Sequence, residues 1–358
     1  MIEEQFIPKL YSKTLESGQV TWESPSNIAL VKYWGKKEHQ IPENTSISFT
    51  LSNCKTITTV SYSLKTSEGF DFEVYLDGEK KDDFKPKIET FFKRIEAYLP
   101  FLKDYHFKIE TSNTFPHSSG IASSASGMSA LALCLMSVEK KLNPDLKDDF
   151  FMQKASFLAR LGSGSACRSI EGNLVVWGNH SAIKGSSNLY GVVYADEVHE
   201  VFQDYQDTIL LVDKGEKQVS STVGHNLMHG HPFAKERFKQ ANSNIEKLIP
   251  ILKKGDLDAF IELVESEALS LHAMMMTSLP YFILMKPNTS EIINRIWAFR
   301  KQTNIHVGFT LDAGANVHVL YPKKDSGKVL EFIKSELVAY CKNGEYICDV
   351  IGFGAKQL

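Results

Sequence analysis

The stretch Pro116-His-Ser-Ser-Gly120-Ile-Ala-Ser123-Ser124-Ala-Ser126-Gly127 constrains this chain more than any other. It follows a predicted strand over 105–110 and a polar loop over 111–120, and it opens a predicted helix over 121–142. The longest apolar run of that helix, Met128 to Val138, is too short to cross a bilayer, which points to burial in a protein core. Glycine and serine at the helix start permit close backbone approach. The first N–H groups there are unpaired and carry the positive end of the helix dipole. Three serines add hydroxyls suited to phosphate oxygens or to a metal ion. No G-x-x-x-x-G-K-[ST] pattern occurs, so this is not a Walker A loop. On residue types alone, a phosphate cradle and a serine-rich cap on a buried helix are equally good readings.

Three further segments carry candidate chemistry. In Ser24-Pro-Ser-Asn27-Ile-Ala-Leu-Val-Lys32-Tyr33-Trp34-Gly35-Lys36-Lys37, lysines bracket a Tyr-Trp-Gly unit, placing cationic heads and a phenol beside a flexible turn. Taken alone it reads best as a strand end with solvated lysines. In Arg160-Leu-Gly162-Ser163-Gly164-Ser165-Ala-Cys167-Arg168-Ser169, a Gly-Ser-Gly-Ser run follows a helix and precedes the strand-like NLVVW, with no room for a domain linker. Such a backbone, two hydroxyls and an arginine suit a diphosphate or a carboxylate. Cys167 has no histidine near it in sequence and reads as a small packed hydrophobe. Finally, Thr310-Leu-Asp312-Ala-Gly314-Ala-Asn316-Val-His318 places a carboxylate in what is otherwise ordinary turn chemistry. Beside phosphates, Asp312 has a use in orienting or deprotonating an attacking hydroxyl.

At 358 residues the chain predicts two domains. Residues 1–18 read as a weakly structured arm, 19–198 as a first domain and 199–358 as a second, with the boundary near 190–205. In the first, Ile47, Phe49 and Leu51 alternate, as do Phe70, Phe72, Val74 and Leu76 before an Asp77-Gly78 turn. Ile88, Phe91, Phe92, Ile95 and Leu99 recur at helical spacing, and a helix over 148–161 ends at Gly162. In the second, strands over 208–213, 305–311, 316–321 and 346–351 mix with helices over 234–253, 256–276, 289–302 and 326–341. The mixture predicts an α+β protein rather than a doubly wound parallel sheet.

Charge and cysteine usage exclude several classes. A net charge of -3 offers no global attraction to nucleic acid, so any polyanion must be held by a local pocket. The five scattered cysteines include no C-x-x-C pair, and the first twenty residues contain no apolar signal core. A reducing cytoplasm is the expected location, without membrane or nucleic-acid partners. His225, His229 and His231 fall within seven positions, yet Gly230 and Pro232 interrupt any helix that would align them, and no H-E-x-x-H is present. A zinc site there is the weaker reading. Met274, Met275 and Met276 read as core packing.

Taken together, the four segments resemble the diphosphomevalonate decarboxylase family of the GHMP kinase superfamily. SPSNIALVKYWGK resembles that family's A-P-x-N-I-A-x-x-K-Y-W-G-K, and Asn44 to Leu51 its N-S-S-[IL]-S-x-T-L. Residues 115–127 resemble its F-P-x-x-x-G-L-A-S-S-A-x-G, residues 160–169 its R-x-G-S-G-S-A-C-R-S, and Leu311 to Asn316 its F-D-A-G-x-N. Similarity is weaker over Val219–Gly224 and Leu271–Ala273. His117-Ser118-Ser119, Asn173, Ala315, Met274–Met276 and Lys286-Pro287 depart from the pattern and bear on fine substrate specificity.

The resemblance implies a two-domain α+β GHMP kinase fold, with a ribosomal-S5-like N-terminal domain, a ferredoxin-like C-terminal domain and the active site between them. It implies that Gly120, Ser123 and Ser124 hold ATP and Mg²⁺. It further implies that Tyr33, Lys36, Ser163 and Ser165 hold the diphosphate of mevalonate 5-diphosphate, with Arg168 at its carboxylate and Asn27 at polar groups nearby. Asp312 would face the C3 hydroxyl, with Lys32 beside it. A homodimer is the family's common form. Within the superfamily, a mevalonate 3-kinase or a phosphomevalonate decarboxylase is the neighbouring reading. A non-catalytic member is disfavoured by the retained Lys32 and Asp312.

Overall fold

The computed structural model describes residues 3–116, 121–214 and 221–358. Two long strands, β1 (Ser17–Val31) and β2 (Ser46–Leu64), pair antiparallel and form the spine of an eight-stranded sheet. Their pairing shifts register between Pro25 and Asn27 and again between Ala29 and Val31. A proline cannot donate to the ladder, so Pro25 sits naturally where the pairing is irregular. The outer half of β2 pairs with β5 (Tyr105–Asn113), which runs parallel to β3 (Asp71–Leu76); β3 pairs with the short β4 (Glu79–Lys80). The inner half of β2 pairs with β6 (Leu174–Trp177), which pairs with β7 (Val192–Val193).

Helices α1 (Lys85–Ile95), α2 (Ser123–Leu142) and α3 (Asp148–Gly162) pack on this sheet. Residues of α2 are buried almost throughout, so it runs through the core rather than over it, with polar residues gathered at its Ser-rich start and at its Glu139-Lys140-Lys141 end. The N-terminal arm differs from expectation. Phe6 is fully buried and its ring stacks on Phe157 at 4.2 Å, so the arm is an integral part of the first core. A lone aromatic among polar residues has no periodicity to betray it.

The second sheet has four antiparallel strands in the order β11–β8–β10–β9, formed by β8 (Gln206–Leu210), β9 (Gly308–Thr310), β10 (Val317–Tyr321) and β11 (Tyr346–Val350). In sequence these are the first to fourth strands, lying fourth-first-third-second, which is the ferredoxin-like order. The remaining helices are α4 (Ser221–Asn226), α5 (Ala234–Lys254), α6 (Leu257–Met276), α7 (Pro287–Thr303) and α8 (Ser326–Phe332). The helix expected over 326–341 is α8, continued by a wider turn over Ile333–Leu337 and a tighter one over Val338–Tyr340.

The two sheets share one apolar cluster. Ile28, Leu30, Ile47, Phe49 and Leu51 of the first meet Tyr205, Ile209, Leu248, Phe260 and Val264 of the second half. Asp349 of β11 accepts backbone N–H bonds from Ser52, Asn53 and Cys54 at 2.7–2.9 Å, clamping the bend in β2. The chain then returns to the first sheet, where β12 (Lys356–Gln357) pairs with β1. The gap left between the two sheets and the start of α2 is the site described next.

Candidate active site

β1 ends at Val31, and Lys32 is the next residue, so the strand delivers its side chain to the gap between the sheets. The Lys32 ammonium lies 3.1 Å from Oδ1 of Asp312, in the tight connection between β9 and β10. Lys32 is 2% exposed and the Asp312 side chain 24%, so the pair is rooted in the protein and opens to one side. Burial pulls the Lys32 pKa down, and the charge and hydrogen bond of Asp312 oppose that shift.

A second layer holds each member. The Lys32 N–H donates to Glu267 Oε2 at 2.8 Å, and its carbonyl accepts from the Asn44 carboxamide at 3.0 Å. Glu267 is fully buried on α6, paired with the Arg237 guanidinium through both oxygens, and Asn244 donates to it at 2.6 Å. On the other side, His272 is held within hydrogen-bonding distance, 3.0 Å, of the Asp312 carbonyl through Nε2. A carbonyl can only accept, so Nε2 carries the proton. Burial lowers the His272 pKa to about 4, in keeping with a neutral ring.

Arg168 enters from the turn after α3 and is 3% exposed. Its guanidinium donates to Ser46 Oγ and, at 3.4 Å, to Asn27 Oδ1, while Asn27 donates to Ser169 Oγ at 2.7 Å and to the Ser165 carbonyl at 3.2 Å. No carboxylate forms an ion pair with Arg168 among the described residues. Asn27, expected near the polar groups of the substrate, is 3% exposed and holds Arg168 in place through its Oδ1. Cys167 is buried and its thiol is pushed up to about 12 by desolvation, which suits packing rather than nucleophilic work.

Lys32, Asp312 and Arg168 line a cavity of about 220 Å³ together with Tyr33, Lys36, Ser123, Ser124, Ser163 and Ser165. The Gly-Ser-Gly-Ser run turns sharply there. A Cβ on Gly164 would lie 2.8 Å from the Trp177 ring and 2.9 Å from the Tyr33 hydroxyl, so the tyrosine closes over that glycine. Gly35 has φ +99° and carries the chain from Trp34 toward Lys36, a turn that favours glycine. Ser123 and Ser124 stand at the first turn of α2, which has no side-chain cap. Gly120 lies outside the described residues, as do 117–119 and 215–220.

Lys87 escaped the sequence reading. It reaches from α1 to donate to Ser124 Oγ at 2.8 Å. Beyond Ser123, Ser124 and Lys87 lies a second, mainly apolar cavity of about 130 Å³ lined by Val74, Ile109, Met128 and Leu131. The three histidines are dispersed in their contacts: His225 faces the main cavity, while His231 Nε2 lies 3.1 Å from the Met274 carbonyl. No three His, Cys, Asp or Glu side chains gather as a metal site among the described residues.

A buried lysine–carboxylate pair facing an arginine, beside a serine-rich helix start in a cleft between these two sheets, defines an enzyme of the GHMP kinase fold. Residues 24–188 match the diphosphomevalonate decarboxylase-like N-terminal domain and residues 208–350 the mevalonate 5-diphosphate decarboxylase C-terminal domain. The diphosphomevalonate decarboxylase of Gibberella zeae is 31% identical over 85% of this chain and 81% of its own. The solved mevalonate diphosphate decarboxylase from Staphylococcus aureus is 27% identical, with a TM-score of 0.81 over 96% of this chain and 98% of that one. MDDEF, solved in complex with MVAPP, AMPPCP and magnesium, is 26% identical, with a TM-score of 0.81 over 96% and 99%. The chain belongs to the diphosphomevalonate decarboxylase family.

Proposed function

We propose that this protein converts mevalonate 5-diphosphate to isopentenyl diphosphate, CO2, ADP and phosphate, by way of phosphorylation at C3. The single observation that carries the reading is a charge pattern. The main cavity is lined by Lys32, Lys36, Lys87 and Arg168, and by one carboxylate, Asp312. Such a pocket selects a polyanion and offers it one proton acceptor.

A saturated 3-hydroxy acid has no electron sink for the pair released with CO2, so the reaction needs a leaving group at C3. Asp312 takes the proton of the tertiary hydroxyl as the oxygen attacks the γ-phosphoryl of ATP, which moves through a loose transition state. Lys32 holds the carboxylate in place and offsets charge on the moving phosphoryl group. The C3–O bond then breaks with loss of phosphate, and the C1–C2 pair becomes the C2=C3 double bond as CO2 leaves. Arg168, held by Asn27 and Ser46, pairs with the C1 carboxylate. Tyr33, Lys36, Ser163 and Ser165 take the diphosphate.

The phosphates of ATP bind at Ser123 and Ser124, with Lys87 joining them, and the adjoining apolar cavity takes the base. Magnesium would suit the Ser123 and Ser124 hydroxyls, which are hard oxygens beside the phosphate site. When bound it would offset phosphate charge during transfer. The same reading places the enzyme in the cytoplasm as a homodimer. Its five free cysteines suit a reducing compartment, and sedimentation of the native protein checks the dimer.

The test is incubation with ATP, Mg²⁺ and mevalonate 5-diphosphate, following ADP and CO2 together. Equal release of both is expected. ADP without CO2, with a stable 3-phosphorylated product, would assign a 3-kinase instead, and preference for mevalonate 5-phosphate would move the substrate.

A further inference from the structure

His225 lines the main cavity with Lys36, Ser163 and Ser165, yet none of the roles above uses it. Its ring lies between two aromatic side chains, with centroids 4.3 Å from Tyr33 and 4.5 Å from Trp34. The Gly35 N–H donates to its Nδ1 at 2.9 Å. That bond occupies the Nδ1 lone pair, so the neutral ring must carry its proton on Nε2. Only 7% of the residue is exposed, and Nε2 has no hydrogen-bond partner among the described residues. His225 Nε2 is not among the side-chain atoms sealed from the surroundings without a partner, so it opens into the cavity as a donor that no described protein group uses.

We propose that His225 is a further substrate-binding residue, donating from Nε2 to an oxygen of the substrate diphosphate between Tyr33 and Lys36. The inference rests on the reading of the cavity given above. Burial, reinforced by the charge of Lys36, lowers the His225 pKa to about 3. The ring is therefore neutral throughout the physiological range and acts as a fixed donor, not as another cation. Its aromatic neighbours fix the ring plane, and the Gly35 bond fixes which nitrogen faces the ligand. The donor also reads the number of phosphoryl groups. A diphosphate extends past Lys36 with additional oxygens, whereas a monophosphate presents fewer for the same set of donors. His225 thus contributes to the choice of diphosphate over monophosphate.

Two substitutions separate this role from a structural one. In H225N the amide oxygen can still accept from Gly35, but no donor reaches the Nε2 position. In H225Q the longer amide restores a donor there. The expected result for H225N is a KM for mevalonate 5-diphosphate raised about tenfold, as loss of a hydrogen bond to a charged group implies. Its kcat and KM for ATP should stay within about twofold of the wild type. H225Q should recover most of the loss, and KM for mevalonate 5-phosphate should rise less than that for the diphosphate. The proposal is overturned if H225N matches the wild type, or if H225N and H225Q lose kcat and ATP affinity alike. Should H225N not fold, ¹⁵N-histidine NMR of the wild type decides: added mevalonate 5-diphosphate must shift the Nε2 resonance of His225, and an unmoved resonance overturns the idea. Absence of turnover by the wild type itself would instead strike the function proposed above.

Discussion

Lys32 and Asp312 are separated by 280 residues of chain and meet at 3.1 Å between the ammonium and Oδ1. One follows a strand of the first sheet and the other joins two strands of the second, so the pair exists only when both halves are folded and docked. Replacing Asp312 by Asn keeps size and shape but removes the proton acceptor. Turnover should fall by about 10²–10⁴-fold, the range of general-base catalysis, while nucleotide affinity stays close to the wild type. Parallel measurement of CO2 release and of ATP-analogue binding checks both halves, and near-normal turnover would remove Asp312 from the chemistry.

Glu267 anchors the backbone of Lys32 and neutralises the buried Arg237. The Glu267→Gln change leaves that guanidinium without a counter-charge in a water-poor site. Breaking a buried pair in this way costs about 3–5 kcal/mol. Urea unfolding should show a lower midpoint at unchanged slope, with kcat reduced because Lys32 loses its fixed backbone.

Phe6 offers a test of the docked arm. Truncation to Ala removes a fully buried ring stacked on Phe157 and should destabilise the protein by about 3–5 kcal/mol. The cavity lies elsewhere, so kcat measured well below the melting temperature should change little. A melting temperature equal to the wild type would show that the arm is dispensable.

Acid should unfold this protein through its neutral histidines. His272 and His225 have folded pKa values lowered by burial to about 4 and about 3, against 6.5 for an unhindered ring. A depressed imidazole pKa means that the unfolded chain binds more protons. Stability from these groups is thus complete above about pH 6.5 and declines as pH falls toward the folded values. Each contributes a slope of about 1.4 kcal/mol per pH unit in that window. Denaturation midpoints from pH 7.5 to 4.5 check it, and His272→Gln should flatten the slope by about half.

What the sequence disclosed follows from whether partners are local. The Lys-Tyr-Trp-Gly-Lys, Gly-Ser-Gly-Ser-Ala-Cys-Arg and Asp-Ala-Gly segments are each contiguous, and side chains from all three line one cavity. Asn27 belongs to one of those segments and holds Arg168 in place, a role that residue type alone does not disclose. Glu267 carried a signal that went unused: a carboxylate on the core-facing side of an apolar helix, between Val264 and Leu271, requires a buried partner. Its partner Arg237 sits on another helix, so the pair was invisible until the fold was known. Lys87 lies on an amphipathic helix rich in surface lysine and had no distinguishing context. Clustering in sequence points His225 toward metal coordination, whereas its structural neighbours are Tyr33, Trp34 and the Gly35 N–H. The full length of β2 escaped notice because the bend clamped by Asp349 interrupts its alternation.

The apolar cluster shared by the two sheets has an evolutionary consequence. Phe49 lies 6.3 Å from Phe260 and 6.4 Å from Tyr205, ring to ring, so part of each half's interior is completed by the other. Grafting one half onto the complementary half of a 31% identical relative transplants an incomplete surface. Such chimeras will be limited by mismatched volume at these rings before their chemistry is ever tested, and substitutions there are tolerated only when the opposite half compensates.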